Sequence, residues 1–264
     1  MSAVEIHPTA IVDPAAQLGT GVRIGPFCIV EADTVIGDRT VLRSQAQVLR
    51  HTTVGADCDI HPFAVVGGEP QDISFRGEPT TLVVGDRCVI REHATLSRGT
   101  ARSRGVTTVG HDGYFMASTH IGHDCIVGDK VIMAAHASLG GHVVLGEHVI
   151  VGGLAGVHQF CRVGRHAFVG ALACVVADVI PFGSVIGVHA HLAGLNVVGL
   201  KRRGFTRQQI HELRAAYRML FAEEGTLQER LEDVEERFSS IPEAAEIVAF
   251  VRADSSRPLC LPRD

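Results

Sequence analysis

An apolar residue recurs at every sixth position along most of the chain. The series runs without interruption from Ile6 to Val66, returns at Val84, Ile90 and Leu96, and continues from Val109 to Val175. An amphipathic helix would require apolar spacings of three and four residues. A strict period of six is typical of a parallel β-helix, in which each six-residue unit forms one side of a three-sided coil. The sequence therefore predicts a mainly β fold built as a hexapeptide-repeat prism.

Each hexad has a recognisable residue order, and residues 36–41 and 54–59 are clean examples. The first residue is apolar and is expected to fill the core. The second residue is Gly or polar, and we expect it to tolerate the positive φ angle or the tight geometry that a corner needs. The fifth residue is small and is expected to be buried near the corner. Because no hexad can bury its apolar face alone, stability must come from stacking coil on coil.

Composition excludes several classes of protein. The 264 residues carry a net charge of −5, which gives no general nucleic-acid signature. The chain shows neither an apolar run long enough to span a membrane nor an N-terminal signal peptide, so the cytoplasm is the expected location. Most cysteines occupy the small fifth position, which predicts buried structural thiols rather than disulfides or metal ligands; these residues are Cys28, Cys58, Cys88, Cys125 and Cys161.

The hexad pattern predicts where the chain departs from the prism. Insertions are expected at 67–82, where charged and turn residues favour a functional loop, and at 101–108, where function and surface decoration are equally favoured. Capping-box signatures at Thr206 and Thr226 and a helix start at Pro242 predict C-terminal helices. The sequence thus predicts a β-helix over 1–188 and a helical domain over 189–264, with a loose tail from Ser255.

Histidines are abundant and cluster between His120 and His166. His123, His142 and His158 are separated by about one coil, so they are expected on the same side of the prism, where an imidazole could act as a general base. A zinc site with three imidazoles is an alternative. Other histidines are expected to be solvated or hydrogen-bonded without a role: His7, His51, His61, His111, His166 and His211.

Several motifs together resemble one family. They are Gln71-Asp72, Gly77-Glu78-Pro79-Thr80, the run 119–125 containing His120 and His123, the run 139–143 containing Gly141, the run 157–160, and the block 196–205. In these motifs the chain is similar to the acyl-carrier-protein-dependent UDP-N-acetylglucosamine O-acyltransferases, which begin lipid A synthesis in Gram-negative bacteria. The resemblance covers nearly the whole chain and implies a left-handed β-helix that assembles as a homotrimer, with active sites between neighbouring prisms.

The resemblance also implies roles for individual residues. His123 would be the general base, Asp124 would orient its imidazole, and the amide of Gly141 would face the oxyanion. The sugar and acyl pockets would be lined by Asp72, His120, His142, His158 and Gln159. The nucleotide would be held by Asn196, Arg202, Arg203 and His189, and Ala171 would stand at the acyl-length ruler. Acyl carrier protein and a UDP-aminosugar would be the substrates, with no metal, no cofactor, no nucleic acid and no stable membrane insertion.

The chain departs from the family pattern at three positions. Ser74 stands where Lys is usual, Ser97 where His is usual, and Val198 where an acidic residue is common. These changes suggest a variant acceptor such as the 3-amino sugar nucleotide, and Ala171 suggests a somewhat shorter acyl chain than Gly would allow. Two alternatives stay open, namely an acetyl-CoA-dependent sugar-nucleotide acetyltransferase and a non-catalytic binding prism.

Overall fold

A computed structural model describes residues 3–263 of the chain. Short strands follow one another at the hexad period over the first two thirds. Their bounds are β1 Glu5–Ile6, β2 Ile11–Val12, β3 Gln17–Leu18, β4 Arg23–Ile24, β5 Ile29–Val30, β6 Val35–Ile36, β7 Val41–Leu42, β8 Gln47–Val48, β9 Thr52–Val54, β10 Asp59–Ile60, β11 Val65–Gly68, β12 Thr81–Val84, β13 Val89–Ile90, β14 Thr95–Ser97, β15 Val106–Val109, β16 Tyr114–Phe115, β17 His120–Ile121, β18 Ile126–Val127, β19 Ile132–Met133, β20 Ser138–Leu139, β21 Val144–Leu145, β22 Ile150–Val151, β23 Gly156–Val157, β24 Arg162–Val163, β25 Phe168–Val169, β26 Cys174–Val175, β27 Gly183–Ile186 and β28 His191–Leu195.

Every third strand up to β26 stacks on its predecessor, which divides the described strands among three sheets that are parallel except for the antiparallel pair β27–β28. Sheet A runs from β1 through β4 to β25, β27 and β28, sheet B from β2 to β26, and sheet C from β3 to β24. Within a regular coil the register is eighteen residues, as in the pairing of Ile6 with Ile24. The predicted fold class is confirmed, and the chain forms a left-handed parallel β-helix followed by helices.

The interior matches the predicted hexad positions. First-position residues such as Ile36, Ile60 and Ile90 are fully buried. The five fifth-position cysteines are buried and free, as expected of structural thiols. Burial raises the pKa of the Cys125 thiol to about 12, so this side chain is an unreactive core residue.

Two reasons were expected for glycine at the second position, and the structure shows the tight corner geometry there but not the positive φ angle. The left-handed conformation falls on the fourth residue of the hexad, for example Phe27, Asp33 and Arg39, with φ near 58°. The glycine is needed for the tight geometry, because a Cβ built on Gly37 would lie 2.5 Å from the backbone carbon of Gly55 in the next coil. Successive coils therefore approach each other too closely at this corner for a side chain.

Two longer connections interrupt the coils. One spans residues 69–80 between β11 and β12, and the other spans 98–105 between β14 and β15. Residues 106–108, which the sequence analysis placed in the second insertion, lie in β15 and pair with β12. The first connection leaves the prism two coils before the coil that carries His120 and His123, and the second leaves it one coil before.

Helices follow the last coil: α1 Val197–Arg202, α2 Arg207–Leu220, α3 Leu227–Arg237 and α4 Pro242–Arg252. The capping boxes predicted at Thr206 and Thr226 are present. Helix α1 was not predicted; its N-cap is Asn196, whose side chain accepts a hydrogen bond from the Gly199 amide. Within residues 3–263, no helix combines the length and the apolar character that crossing a bilayer requires.

The C-terminal tail is pinned rather than loose as expected. The amide of Asp178 donates to the carbonyl of Pro258, the amide of Cys260 donates to the carbonyl of Asp178, and the amide of Leu192 donates to the carbonyl of Leu261. The tail thereby occupies backbone groups at the end of the last coil that would otherwise lack partners. The predicted domain boundary at residue 188 stays a prediction. The strands on either side of it, β27 and β28, pair with each other.

Candidate active site

A cavity of about 520 Å³ lies on the outer face of sheet B and the corner that follows it. Outward residues of β17, β20 and β23 form its floor, because alternate strand residues point away from the core. The predicted site residues His120, His123, Gly141, His158 and Gln159 line the cavity. Ser97 and the exposed Cys174 also line it.

His123 and Asp124 form the chemical centre of this cavity. The Nδ1 atom of His123 lies 2.9 Å from Oδ2 of the buried Asp124. A carboxylate only accepts hydrogen bonds, so Nδ1 carries the hydrogen and Nε2 is left as an acceptor. His123 therefore has the tautomer that a general base needs.

Asp124 is fixed by two threonines, Thr100 in the connection 98–105 and Thr107 on β15. The Thr100 amide and hydroxyl donate to its Oδ2 atom at 3.0 Å and 2.7 Å. The backbone amide of Asp124 donates to the Thr107 hydroxyl at 2.8 Å. Sequence analysis missed both threonines. The distance along the chain from Thr100 to Asp124 depends on the insertion that contains Thr100, and Thr107 lies in a segment that was assigned to the insertion rather than to a strand.

Gly141 packs directly against the imidazole. A Cβ built on Gly141 would lie 2.5 Å from Cε1 of His123 and 2.6 Å from Nε2, so only glycine fits beside this ring. Within residues 3–263, no hydrogen-bond acceptor is paired with the Gly141 amide. The amide is thus free to donate to a group bound next to His123.

His142 and His120 surround the pair as neutral polar groups. His142 meets the His123 ring edge-on at 5.0 Å, and its Nδ1 lies 3.2 Å from the Ser103 hydroxyl. The Nδ1 atom of His120 lies 2.8 Å from the Thr95 hydroxyl. Burial, and to a smaller extent the neighbouring His123, lower the pKa of both imidazoles. Both are therefore suited to hydrogen bonding rather than to carrying charge at neutral pH.

The predicted column of histidines is only partly present. Phe160, and not His158, stacks on His142, with ring centroids 4.3 Å apart. The coil repeat explains this, since position 160 follows position 142 by one full coil. His158 instead lies at the rim, where its Nδ1 atom contacts Nη2 of Arg257 at 2.6 Å.

Asp72 lies in the insertion 69–80 near the cavity. Its carboxylate accepts a hydrogen bond from the Ser74 amide at 2.8 Å. The Ser74 amide and hydroxyl lower the pKa of Asp72, with smaller contributions from His123 and Arg102. Asp72 therefore belongs to the same electrostatic neighbourhood as His123.

One group of described residues has the spacing of metal ligands, namely His123, Asp124 and His142, with ligand atoms within 4.8 Å of one another. The donor set does not favour zinc. Oδ2 of Asp124 is already engaged by Thr100 and His123, and Nε2 of His142 is 4.0 Å from it. The third imidazole that the zinc alternative requires is absent from this group.

A second cavity of about 620 Å³ lies on the outer face of sheet A beside α1. It is lined by Asn196, Arg202 and Arg203 together with Val198 and outward residues of β19, β22 and β25. Asn196 also donates to the carbonyl of His166 at 2.9 Å, and Arg203 donates to the carbonyl of His148 at 2.8 Å. The predicted site residues thus fall into two groups on different faces of the prism.

Ala171 and His189 lie in neither cavity. Ala171 is exposed at the corner that joins sheet A to sheet B, and His189 is exposed in the turn between β27 and β28. Ala171 therefore lies on the edge that separates the two groups of site residues.

His166 differs from its expected solvated or hydrogen-bonded state. It is 6 % exposed, and its Nδ1 atom has no hydrogen-bond partner among residues 3–263. Its ring stacks between His148 and Phe182 and meets Phe205 edge-on. Burial, together with Arg165 and Arg203, lowers the pKa of His166 to about 4.

Comparisons with known proteins agree with this architecture. Residues 178–260 match the family model described as "Udp N-acetylglucosamine O-acyltransferase; Domain 2". An acyl-[acyl-carrier-protein]–UDP-N-acetylglucosamine O-acyltransferase of Caulobacter vibrioides is 54 % identical over 259 residues, which cover 98 % of each chain. The enzyme of that name from Bartonella henselae is 46 % identical over 263 residues, covering 100 % of this chain and 96 % of the relative.

Solved structures give the same result. The UDP-N-acetylglucosamine acyltransferase of Francisella novicida superposes with a TM-score of 0.94 at 34 % identity, covering 98 % of this chain and 95 % of that one. LpxA from Acinetobacter baumannii gives a TM-score of 0.91 at 38 % identity, covering 98 % and 99 %. Full-length similarity at these identities shows that the chain belongs to the acyl-[acyl-carrier-protein]–UDP-N-acetylglucosamine O-acyltransferase family.

Proposed function

We propose that this chain transfers a 3-hydroxyacyl group from acyl carrier protein to the 3-hydroxyl of UDP-N-acetylglucosamine, the first step of lipid A synthesis. Family membership supplies the substrate class. The observation that carries the chemistry is the His123–Asp124 pair, 2.9 Å apart, beside the Gly141 amide. In this proposal the reaction needs no metal and no cofactor.

The proposed mechanism uses His123 twice. Its Nε2 atom takes the proton from the sugar hydroxyl as that oxygen attacks the thioester carbonyl, and Asp124 stabilises the resulting imidazolium. The tetrahedral oxyanion lies against the Gly141 amide. When the intermediate collapses, the carbon–sulfur bond breaks and His123 returns the proton to the departing thiolate. Atoms and protons therefore balance within one turnover.

The other residues around the cavity are assigned to binding. His120, His142, His158, Gln159 and Asp72 hold the sugar and the acyl donor through hydrogen bonds. Arg202 contacts the diphosphate, because a guanidinium pairs well with phosphate oxygens, and Asn196, Arg203 and His189 complete the nucleotide site. Ala171 sets the acyl length.

We propose that the working unit is a homotrimer. The His123 cavity lies on the outer face of sheet B, whereas the Arg202 cavity lies on the outer face of sheet A. One nucleotide-sugar cannot contact both faces of the same prism. A neighbouring copy that presents its sheet A face to the sheet B face of the first would complete the site, and closed rotational symmetry gives each copy the same contacts.

The test of the function is a turnover assay with radiolabelled UDP-N-acetylglucosamine and a panel of 3-hydroxyacyl carrier proteins, with acetyl-CoA as an alternative donor. We expect turnover with carrier-protein donors of one preferred length and none with acetyl-CoA. Activity with acetyl-CoA alone would favour the acetyltransferase, and no turnover with any donor or acceptor would favour a non-catalytic prism. For the acyl-length ruler, Ala171→Gly should shift the preferred donor toward longer chains, and an unchanged profile would exclude that role.

A second candidate acceptor, the 3-amino sugar nucleotide, is favoured by the three positions at which the chain departs from the family pattern. Ser97 lines the His123 cavity, and the Ser74 amide donates a hydrogen bond to the Asp72 carboxylate. Val198 lines the Arg202 cavity and is 62 % exposed. We expect the double variant Ser74→Lys, Val198→Glu to change the ratio of turnover with the 3-hydroxyl and 3-amino acceptors. An unchanged ratio would remove this candidate.

A further inference from the structure

The C-terminal strap, defined here as residues 255–263, follows a fixed path to the active site. Backbone hydrogen bonds of 2.8 Å join Pro258 and Cys260 to Asp178, and one of 2.9 Å joins Leu261 to Leu192. Cys260 is 3 % exposed and its thiol approaches the carbonyl of Ala190 at 3.3 Å. These anchors hold the backbone from Pro258, the residue next to Arg257, to Leu261, so the side chain of Arg257 starts from a defined place.

Arg257 reaches two residues at the rim of the His123 cavity. Its Nε atom donates to the carbonyl of Gln159 at 3.0 Å, and its Nη2 atom lies 2.6 Å from Nδ1 of His158. A guanidinium carries donors and no acceptor. Nδ1 of His158 must therefore accept this hydrogen bond, which leaves the ring hydrogen on Nε2.

Nδ1 of His158 has a second hydrogen-bond partner within reach, so the contact with Arg257 decides which ring nitrogen carries the hydrogen. The carbonyl oxygen of Gln159 lies 3.1 Å from the same Nδ1 atom of His158. Without Arg257, Nδ1 would carry the hydrogen and donate to this carbonyl, and Nε2 would become an acceptor. The presence of Arg257 thus determines whether Nε2 of His158 acts as a hydrogen-bond donor or as an acceptor toward the His123 cavity.

We propose that Arg257 is a positioning residue of the acyltransferase that holds His158 in the form with hydrogen on Nε2. In this form His158 donates a hydrogen bond to an oxygen of the bound substrate, and Arg257 itself does not contact the reacting atoms. The inference rests on the proposed function, since it assigns His158 to substrate binding. It makes the strap a part of the active site rather than a terminal extension.

The tautomer of His158 can be measured directly on the full-length protein. Long-range ¹H–¹⁵N spectra of protein labelled at histidine identify which ring nitrogen carries the hydrogen, and His158→Gln identifies the signal. We expect hydrogen on Nε2 in the unchanged protein and on Nδ1 in Arg257→Ala. Hydrogen on Nδ1 in the unchanged protein, or no change in the variant, would overturn the proposal.

Kinetics test whether the tautomer matters. Because the pair is partly open to solvent, we expect Arg257→Ala to lower kcat/KM by about 10-fold. Arg257→Lys should restore part of this loss. Arg252→Ala, which removes an ion pair between Arg252 at the end of α4 and Glu235 on α3, should change nothing. In a His158→Gln background, Arg257→Ala should cause no further loss, because the two residues act as one unit.

Equal losses in both backgrounds would show that Arg257 acts independently of His158 and would overturn the proposal. The proposal would also be overturned if Arg257→Ala had a lower melting temperature and unfolding accounted for its whole loss of kcat/KM. Absence of turnover in the unchanged protein would instead contradict the proposed function, and the tautomer measurement would then still decide the role of Arg257.

Discussion

At the scale of the residue, the proposed chemistry depends on hydrogen bonds that fix one tautomer at a time. Thr100 holds Asp124, Asp124 sets the hydrogen of His123 on Nδ1, and Gly141 leaves space for that ring. Each contact joins residues from different coils or adjacent positions on one corner. The stacking of coils therefore provides the precision that a general base requires.

Replacing Gly141 tests the close approach to His123. In Gly141→Ala the new methyl group would overlap the imidazole, so the ring must move away from its position. We expect turnover to fall by about 10²-fold, since a shift of about 1 Å has effects of that size. The matched control is Gly68→Ala, where the nearest atom to the new Cβ is 3.7 Å away and activity should be retained.

His166 predicts a pH dependence of stability. Its folded pKa of about 4 lies below its usual value of 6.5, so the unfolded chain binds the proton first as the pH falls. Stability should therefore decline from about pH 6.5 toward pH 4, with a loss of about 2 kcal/mol by pH 5. Urea unfolding at pH 7 and pH 5 measures the change.

The variant His166→Phe isolates this contribution. His148, Arg165 and Arg203 also face the ring and stay in place, so the difference between the two proteins reports His166 alone. We expect a smaller drop in the free energy of unfolding between pH 7 and pH 5 for the variant. An equal drop in both proteins would be inconsistent with a buried neutral His166.

Only part of the site could be predicted from the sequence. His123, Asp124 and Gly141 carry motif signals through the resemblance, and the structure brings them together. Thr100, Ser103 and Arg257 carry none, because their partners lie 24, 39 and 99 positions away along the chain. Such contacts depend on the lengths of the insertions and on the path of the tail, which no local pattern encodes.

At the scale of the element, the second-position glycine controls how closely the coils stack. Gly37→Ala would place a methyl group 2.5 Å from the backbone of Gly55, which cannot move without disturbing its own coil. We expect a loss of about 1 to 3 kcal/mol in the free energy of unfolding. Denaturant unfolding of Gly37→Ala, with Gly68→Ala as the control, measures this loss. Equal free energies of unfolding for the two variants would show that the coils can separate to admit a side chain.

The prism was predictable because the six-residue pattern repeats at every coil, so one wrongly assigned hexad does not change the predicted fold. The first-position and fifth-position residues were assigned correctly from Val22 onward for this reason, whereas the first-position residue Ile6 at the open end of the prism is exposed. Helix α1 is too short to show an apolar stripe, and its only local signal is the cap at Asn196. The tail was missed because its order comes from pairing with Asp178 and Leu192 rather than from its own composition.

At the scale of the whole molecule, the two cavities on different faces support the proposal that copies share a site. With a chain mass of 28.2 kDa, light scattering should give a particle of about three times this mass. A monomer that is fully active would exclude the shared site.

Mixed assemblies test the sharing more sharply. His123→Ala and Arg202→Ala remove residues from different cavities, so each variant alone should have little activity. Co-expression of both should restore about a quarter of the activity, because random assembly then produces some interfaces with both residues intact. If both residues served one site within one chain, the mixture would stay inactive.

The proton transfer by His123 is the central claim, and one rate measurement tests it most directly. The single-turnover rate of acyl transfer would be compared between the unchanged protein, His123→Ala and His136→Ala, an exposed histidine outside both cavities. The account predicts a fall of about 10²- to 10⁴-fold for His123→Ala and no change for His136→Ala. An unchanged rate in His123→Ala, with the protein folded, would contradict the assignment of the base.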